Sequence, residues 1–336
     1  MLFSRLHSLL SLCALATAAA LGPSNHLLAA HTIFQLNQTG TWLENIAVRA
    51  NGDLLVTMLS PTPSLYTLKR PYSPTRAFSL MHTFTNASGL LGIAEIEPDT
   101  FAVLSVQFTP EMAPVPGSST IWGVSLQHDS TPPRVWRIAK IPNITVPNGL
   151  AFIPGSSTLF VSDSFGGTIS RCDARTGQCS VIINGPETVP LEGSSTGVNG
   201  VRYHAGYLYW SHSGLAEIFR VRVGLDGCLP ADAKIESVGR VDAVFIDDFA
   251  VDKAGTAWIA AGLNNTIIAL REDGESEVVA GSQDELTLAG PTSAAFGRTG
   301  HDKKTLYVVT NGGAQSLAPE MVEPAKIVAV DTAGYI

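Results

Sequence analysis

The chain has 336 residues, a formal net charge of −8 and no basic run, which excludes nucleic acid and anionic membrane surfaces as electrostatic partners. Only 15% of its residues are charged and 7% aromatic, with 31 glycines and 20 prolines. That balance suits many strands joined by many turns, in one large domain or two small ones.

At the N-terminus, Arg5 and His7 precede an apolar run over residues 9–21, and Ala18, Ala19 and Ala20 offer a small-residue cleavage site. The run is too short to span a bilayer. Residues 1–20 therefore read as a secretory signal peptide, with an uncleaved signal anchor as the alternative. No other segment has the length of a membrane-spanning helix. The expected location is the secretory pathway, either secreted or in a vesicular or vacuolar lumen. There the sequons at Asn37, Asn86, Asn143 and Asn264 become glycosylation candidates. Cys172 and Cys179 flank a turn-rich hexapeptide and are expected to close a disulfide across a hairpin, with modest stabilisation from so short a loop. Cys13 leaves with the signal, and Cys228 is expected as a free, buried thiol.

Residues 146–164, VPNGLAFIPGSSTLFVSDS, read as turn, apolar strand, turn and strand. Versions of this unit recur. They are LENIAVRANGDLLVT from residue 43, LGIAEIEPDTFAVLS from 91, VNGVRYHAGYLYWS from 198, IDDFAVDKAGTAWIA from 246, and GPTSAAF with KTLYVVT over 290–310. Aligned two residues before each first strand, the units begin at Glu44, Leu91, Asn148, Asn199, Asp247 and Thr292, at intervals of 47, 57, 51, 48 and 45 residues. Each has further alternating strands in its second half, near residues 64–69, 120–126, 167–172, 217–223, 266–271 and 326–330. Four strands in about 45–50 residues is the size of a propeller blade. Residues 31–36 add one strand that joins the last blade and removes the open edges. The expected fold is all-β: a single six-bladed β-propeller of four-stranded blades over residues 31–336, its N-terminal strand closing the last blade. Long loops at 108–119 and 185–197 are expected to rim a pocket, and a third lies at 317–324.

The residue before each innermost strand should point at the propeller axis. Glu44, Asn148, Asn199 and Asp247 would then converge from four blades. Two carboxylates and two amides form a hard oxygen set suited to Ca²⁺, whereas zinc lacks its His or Cys. Simple turn chemistry at the two Asn-Gly pairs is the alternative. The second strand of each blade ends at the same place, bringing Asp163, His212 and Asn311 there. His212 is the imidazole suited to general-base work, or else a surface or hydrogen-bonded histidine. Trp42 and Phe165 sit near this rim and could face an apolar substrate. No HExxH, P-loop or GxGxxG pattern occurs, so no nucleotide site is expected, and neither is haem.

With Glu44, Asn148, Asn199 and Asp247 spread over blades one, three, four and five around VPNGLAF and TLFVSDS, the chain resembles the SMP-30/gluconolactonase/strictosidine-synthase-like superfamily. That resemblance implies a six-bladed propeller with an axial divalent metal, usually calcium, that hydrolyses lactones or organophosphate esters. It implies Glu44, Asn199 and Asp247 as ligands, Asn148 as ligand or substrate contact, and Asp247 as a possible general base. Asp247-Asp248 stands where the family has Asp-Gly, and Asn45 where it has a small residue. The start, GTWLENIAVRANGDLLVT, is similar to a secreted fungal branch in natural-product pathways that includes hetero-Diels–Alderases.

The leading expectation is thus an enzyme of fungal secondary metabolism that couples a tropolone quinone methide to a terpene alkene. Asp247, His212 and Asn148 would be catalytic, and Trp42, Asp163, Phe165 and Asn311 would bind polyketide- or terpenoid-like substrates. A pure pericyclase of this kind could work without any metal. The alternatives are a Ca²⁺-dependent lactonase or esterase, and a non-catalytic binding propeller. The oligomeric state is left open.

Overall fold

The computed structural model describes residues 27–127, 132–315 and 321–335. The signal segment lies outside these residues, as does part of the 317–324 loop. The strands form six separate four-stranded antiparallel sheets, each in chain order except the last. Blade one holds Trp42–Val48, Leu54–Ser60, Ser64–Lys69 and Ala77–Thr83, and the same meander repeats through blades two to five. Blade six holds Pro291–Phe296, Thr305–Thr310 and Lys326–Asp331, and its outer strand is Ala30–Gln35 from the N-terminus. Ala30 pairs with Val330 and Gln35 with Lys326, so the first strand closes the ring. The all-β six-bladed architecture and its closure agree with the sequence expectation.

Burial explains the strand sequences. A second strand is covered by a neighbouring blade on each face, so it reads as a continuous apolar run. Thr100–Val106 and Thr158–Asp163 are buried at every position. An outer strand such as Ala77–Thr83 faces solvent and stays mixed. Six apolar layers form the core, one between each pair of adjacent blades. Trp210 fills the layer between blades three and four, and Trp258 the layer between five and six.

Cys172 and Cys179 are cross-strand partners in blade three and are disulfide-bonded, with an S–S distance of 2.04 Å. Cys228 is exposed rather than buried, because the 224–228 turn leaves it at the surface where an apolar reading of cysteine had placed it inside. Among the described residues no helix is long and apolar enough to cross a membrane.

Candidate active site on the propeller axis

In five blades the axial residue stands inside the innermost strand, whereas Asp247 stands two residues before Phe249–Val251, and a β-bulge presents each one. In blade one Leu43 pairs with Met58 and Asn45 with Thr57, which leaves Glu44 as the extra residue. The register slips likewise across Leu91 in blade two, Asn148 in blade three, Asn199 in blade four and Thr292 in blade six. In blade five the Asp247 N–H donates to Ala260 O at 2.8 Å while the Ala260 N–H donates to Asp248 O at 3.0 Å, again two residues facing one. A bulge re-aims one side chain and tightens the local bend. Asn148-Gly149 and Asn199-Gly200 are therefore strand bulges, not turns. Neither glycine has a positive φ. They are needed for close approach, since a Cβ on Gly149 would sit 2.6 Å from Asn199 O and one on Gly200 2.0 Å from Asp248 Oδ1.

Hydroxyls lock these bulges to one another. Ser211 Oγ accepts the Gly200 N–H at 2.9 Å and donates to Asp247 O at 2.7 Å in the next blade. Thr57 does the same between Asn45 N and Leu91 O, and Ser162 between Gly149 N and Asn199 O. Thr292 Oγ donates to Leu43 O at 2.7 Å and so closes blade six onto blade one. Thr57, Ser162 and Ser211 each lie at or near the end of a second strand, whereas Thr292 is itself the axial residue of blade six.

The residues at the ends of the second strands have another use. Asp163 accepts N–H bonds from Thr145, Val146 and Gly166 at 2.7, 2.9 and 2.9 Å. Asn311 Oδ1 accepts from Gly313 at 3.0 Å and Ala314 at 3.2 Å. His212 is fully buried; its Nδ1 accepts the Leu215 N–H at 3.2 Å and its Nε2 faces Val189 O at 2.8 Å. All three cap the turn that follows by taking the N–H three residues on. His212 also ties down the 185–197 loop, as does Trp210 through Glu187 O at 2.8 Å. Both nitrogens of His212 are thus committed to backbone groups.

Trp42 is half-buried, and its Nε1–H donates to Glu44 Oε2. Phe165 is half-buried against the layer between blades two and three, together with Leu59 and Phe108. The loops at this end leave Met112, Val189, Leu191, Val244 and Val322 exposed, which gives an apolar rim around a polar axis. The 108–119 and 185–197 loops both lie at this end. Two surface grooves, of about 280 and 210 Å³, lie at the other end between blades two and three and between four and five, and contain none of the axial residues.

Below the ring lies a buried layer absent from the sequence reading. Asp248 Oδ2 accepts from Asn45 Nδ2 at 2.8 Å, Arg202 Nη2 at 2.6 Å and Ser293 Oγ at 3.1 Å. These groups come from blades one, four and six and meet blade five, so they cross the axis. The polar bulk at Asn45 and Asp248 thus forms a floor beneath the ring.

Glu44, Asn148, Asn199 and Asp247 are each 8% exposed or less. Burial pushes the Glu44 carboxyl up to about 8, against the Trp42 hydrogen bond and with help from the Asp248 charge. Burial first, then the Glu44 and Asp248 charges, hold Asp247 well above its ordinary value, while Asn199 opposes them. The pair therefore calls for protons or a cation. The donor set fits a hard divalent cation on a further observation: Asn199 Oδ1 is buried without a hydrogen-bond donor, while its Nδ2 donates to Ser213 Oγ at 3.1 Å. Among the described residues no group of three or more His, Cys, Asp or Glu side chains forms a metal site. Here amide oxygens, not a third carboxylate, would complete the shell.

The four sequons all lie at this end too. Asn37, Asn86 and Asn143 are exposed, whereas Asn264 is half-buried and its Oδ1 accepts the Val244 N–H at 3.2 Å.

Fold and site together define a six-bladed propeller with a buried acidic pair on its axis under an apolar rim. The chain is 29% identical to a "Putative hetero-Diels-Alderase" of Phoma sp over 296 residues, covering 81% of this chain and 84% of that protein. It is 27% identical to the "Putative hetero-Diels-Alderase asR5" of Sarocladium schorii over 332 residues, covering 88% and 82%. Among solved structures, a luciferin-regenerating enzyme matches with a TM-score of 0.67 at 14% identity, covering 91% of this chain and 96% of that one. Regucalcin from Agrobacterium tumefaciens, a calcium-binding protein, matches with a TM-score of 0.62 at 14% identity, covering 90% and 95%. Those two likenesses establish the fold. No family model matches the chain.

Proposed function

We propose that the chain is a pericyclase-like enzyme of fungal secondary metabolism, which couples an oxygen-containing heterodiene such as a tropolone quinone methide to a terpene alkene. The observation that carries the reading is sequence similarity over more than four-fifths of the chain to two proteins named as hetero-Diels–Alderases. The site is compatible with it. A cycloaddition needs no nucleophile, and His212 has no free nitrogen to activate one. It needs two partners held in register, which the apolar rim can do for the alkene. It also needs stabilisation of the charge that develops on the heterodiene oxygen. Protonated Glu44 or Asp247 can donate there, and the open amide of Asn148 can steady the same oxygen. Glu44, Asn199 and Asp247, with Asn148, would hold a divalent cation such as Ca²⁺. That ion would supply Lewis-acid stabilisation of the oxygen.

Purified protein mixed with a quinone-methide precursor and an alkene tests the reading. Faster and stereoselective adduct formation supports it; an adduct at the buffer rate and stereochemistry rejects it. A second reading, a Ca²⁺-dependent lactonase or esterase, is favoured by the acidic pair with the orphaned Asn199 oxygen. In that case EDTA and Asp247→Ala each abolish lactone or aryl-ester hydrolysis.

A further inference from the structure

The layer beneath the ring has a charge pattern that the cycloaddition reading leaves unused. Asp248 is 1% exposed, as is Asn45, and Ser293 is fully buried. A carboxylate offers about four acceptor positions. Here Asn45, Arg202 and Ser293 take Oδ2, and the Phe249 N–H takes Oδ1 at 2.8 Å. Oδ2 is therefore fully occupied, and Oδ1 is held by the backbone of its own strand. Arg202 is equally committed: its Nη1 donates to Val201 O at 2.8 Å, and its guanidinium stands 5.8 Å from the Phe249 ring centre. Each partner neighbours an axial residue. Asn45 follows Glu44, Asp248 follows Asp247, Ser293 follows Thr292, and Arg202 lies on the Asn199 strand. The contacts of the lower layer therefore set the spacing of the upper one. Gly200 allows this, because a Cβ there would meet Asp248 Oδ1 at 2.0 Å.

We propose that Arg202 is an internal countercharge. By binding Asp248 across the axis it leaves Glu44 and Asp247 as the two carboxylates that a divalent cation meets, and it sets both their spacing and the net charge of the site. Arg202 is a positioning residue, not a ligand. The inference rests on the cation reading of the axis but not on the cycloaddition, since cation binding can be measured without substrate.

Calorimetric Ca²⁺ titration and Trp-sensitised Tb³⁺ luminescence would be run on the full chain, Arg202→Met, Asp248→Asn and the double variant. Trp42, bonded to Glu44, is the antenna. Removing the guanidinium adds net negative charge and should tighten Ca²⁺ on the order of tenfold; Asp248→Asn should weaken it by a similar factor. The double variant should return to within about threefold of the parent, because the two changes cancel. Arg202→Lys keeps the charge and should bind like the parent, which covers the case in which Arg202→Met does not fold. Uniform weakening in every variant overturns the countercharge and leaves only a structural brace. Absence of any Ca²⁺ or Tb³⁺ binding by the parent overturns the cation reading and the countercharge together, and leaves the cycloaddition to its own assay.

Discussion

Glu44 links sequence, stability and chemistry most directly. Its carboxyl ionises near 4.5 in an unfolded chain and near 8 when buried. The folded protein thus keeps a proton that the unfolded chain has lost, so the contribution is full below about pH 4.5 and lost as the pH rises to about 8. The slope is about 1.4 kcal/mol per pH unit for each such proton. Urea unfolding should show stability falling between about pH 5 and pH 8, with Glu44→Gln flattening the profile and Ca²⁺ restoring stability at the alkaline end. A flat profile in the parent would contradict the burial argument. Gly200 makes a second prediction. Its Cβ has no space beside Asp248, so Gly200→Ala should cost about 2–3 kcal/mol in the same assay. A near-neutral result would mean the bulge has room to relax.

Single elements show what pattern reading captures and what it misses. The second strands and the repeat interval could be read directly, because burial on both faces writes continuous apolar runs such as TFAVLSV. The axial positions were also readable, since they recur at one place in each unit. Partnerships were not. Asn45 and Asp248 are 203 residues apart and meet only once the ring closes. Asn-Gly carries the same signature in a bulge and in a turn, so the strand Pro147–Phe152 began earlier than expected. Asp163 and His212 end their second strands and Asn311 follows one, but no residue-type argument could show that backbone N–H groups would occupy them. The 185–197 loop follows from this. Replacing His212 with Phe leaves Val189 O and the Leu215 N–H without their partner, at a cost of about 1–3 kcal/mol. Hydrogen exchange and limited proteolysis should both rise within residues 185–197. Unchanged protection there would show that Trp210 and the loop's backbone hydrogen bonds hold it without His212.

At the level of the whole molecule, the ring is held by its first strand. Deleting residues 27–36 uncovers the Lys326–Asp331 edge and removes Ile33 from the layer between blades six and one. Cooperative unfolding should be lost and aggregation should rise, as read by calorimetry and light scattering. Chain made in a secretory host should carry glycans at Asn37, Asn86 and Asn143 and none at Asn264, whose side chain is half-buried and bonded. Peptide mass spectrometry reads this site by site. The axial end would then bear both the sugars and the apolar rim, an arrangement suited to small partners entering between them. The most direct test of the central claim is the rate and stereochemistry of adduct formation from a quinone methide released in situ and a terpene alkene, compared among the parent, the Glu44→Gln/Asp247→Asn variant and buffer. The account predicts one dominant stereoisomer, formed faster than in buffer, and on the order of a hundredfold loss of that acceleration in the variant. The same isomer mixture at the same rate in all three samples would contradict it.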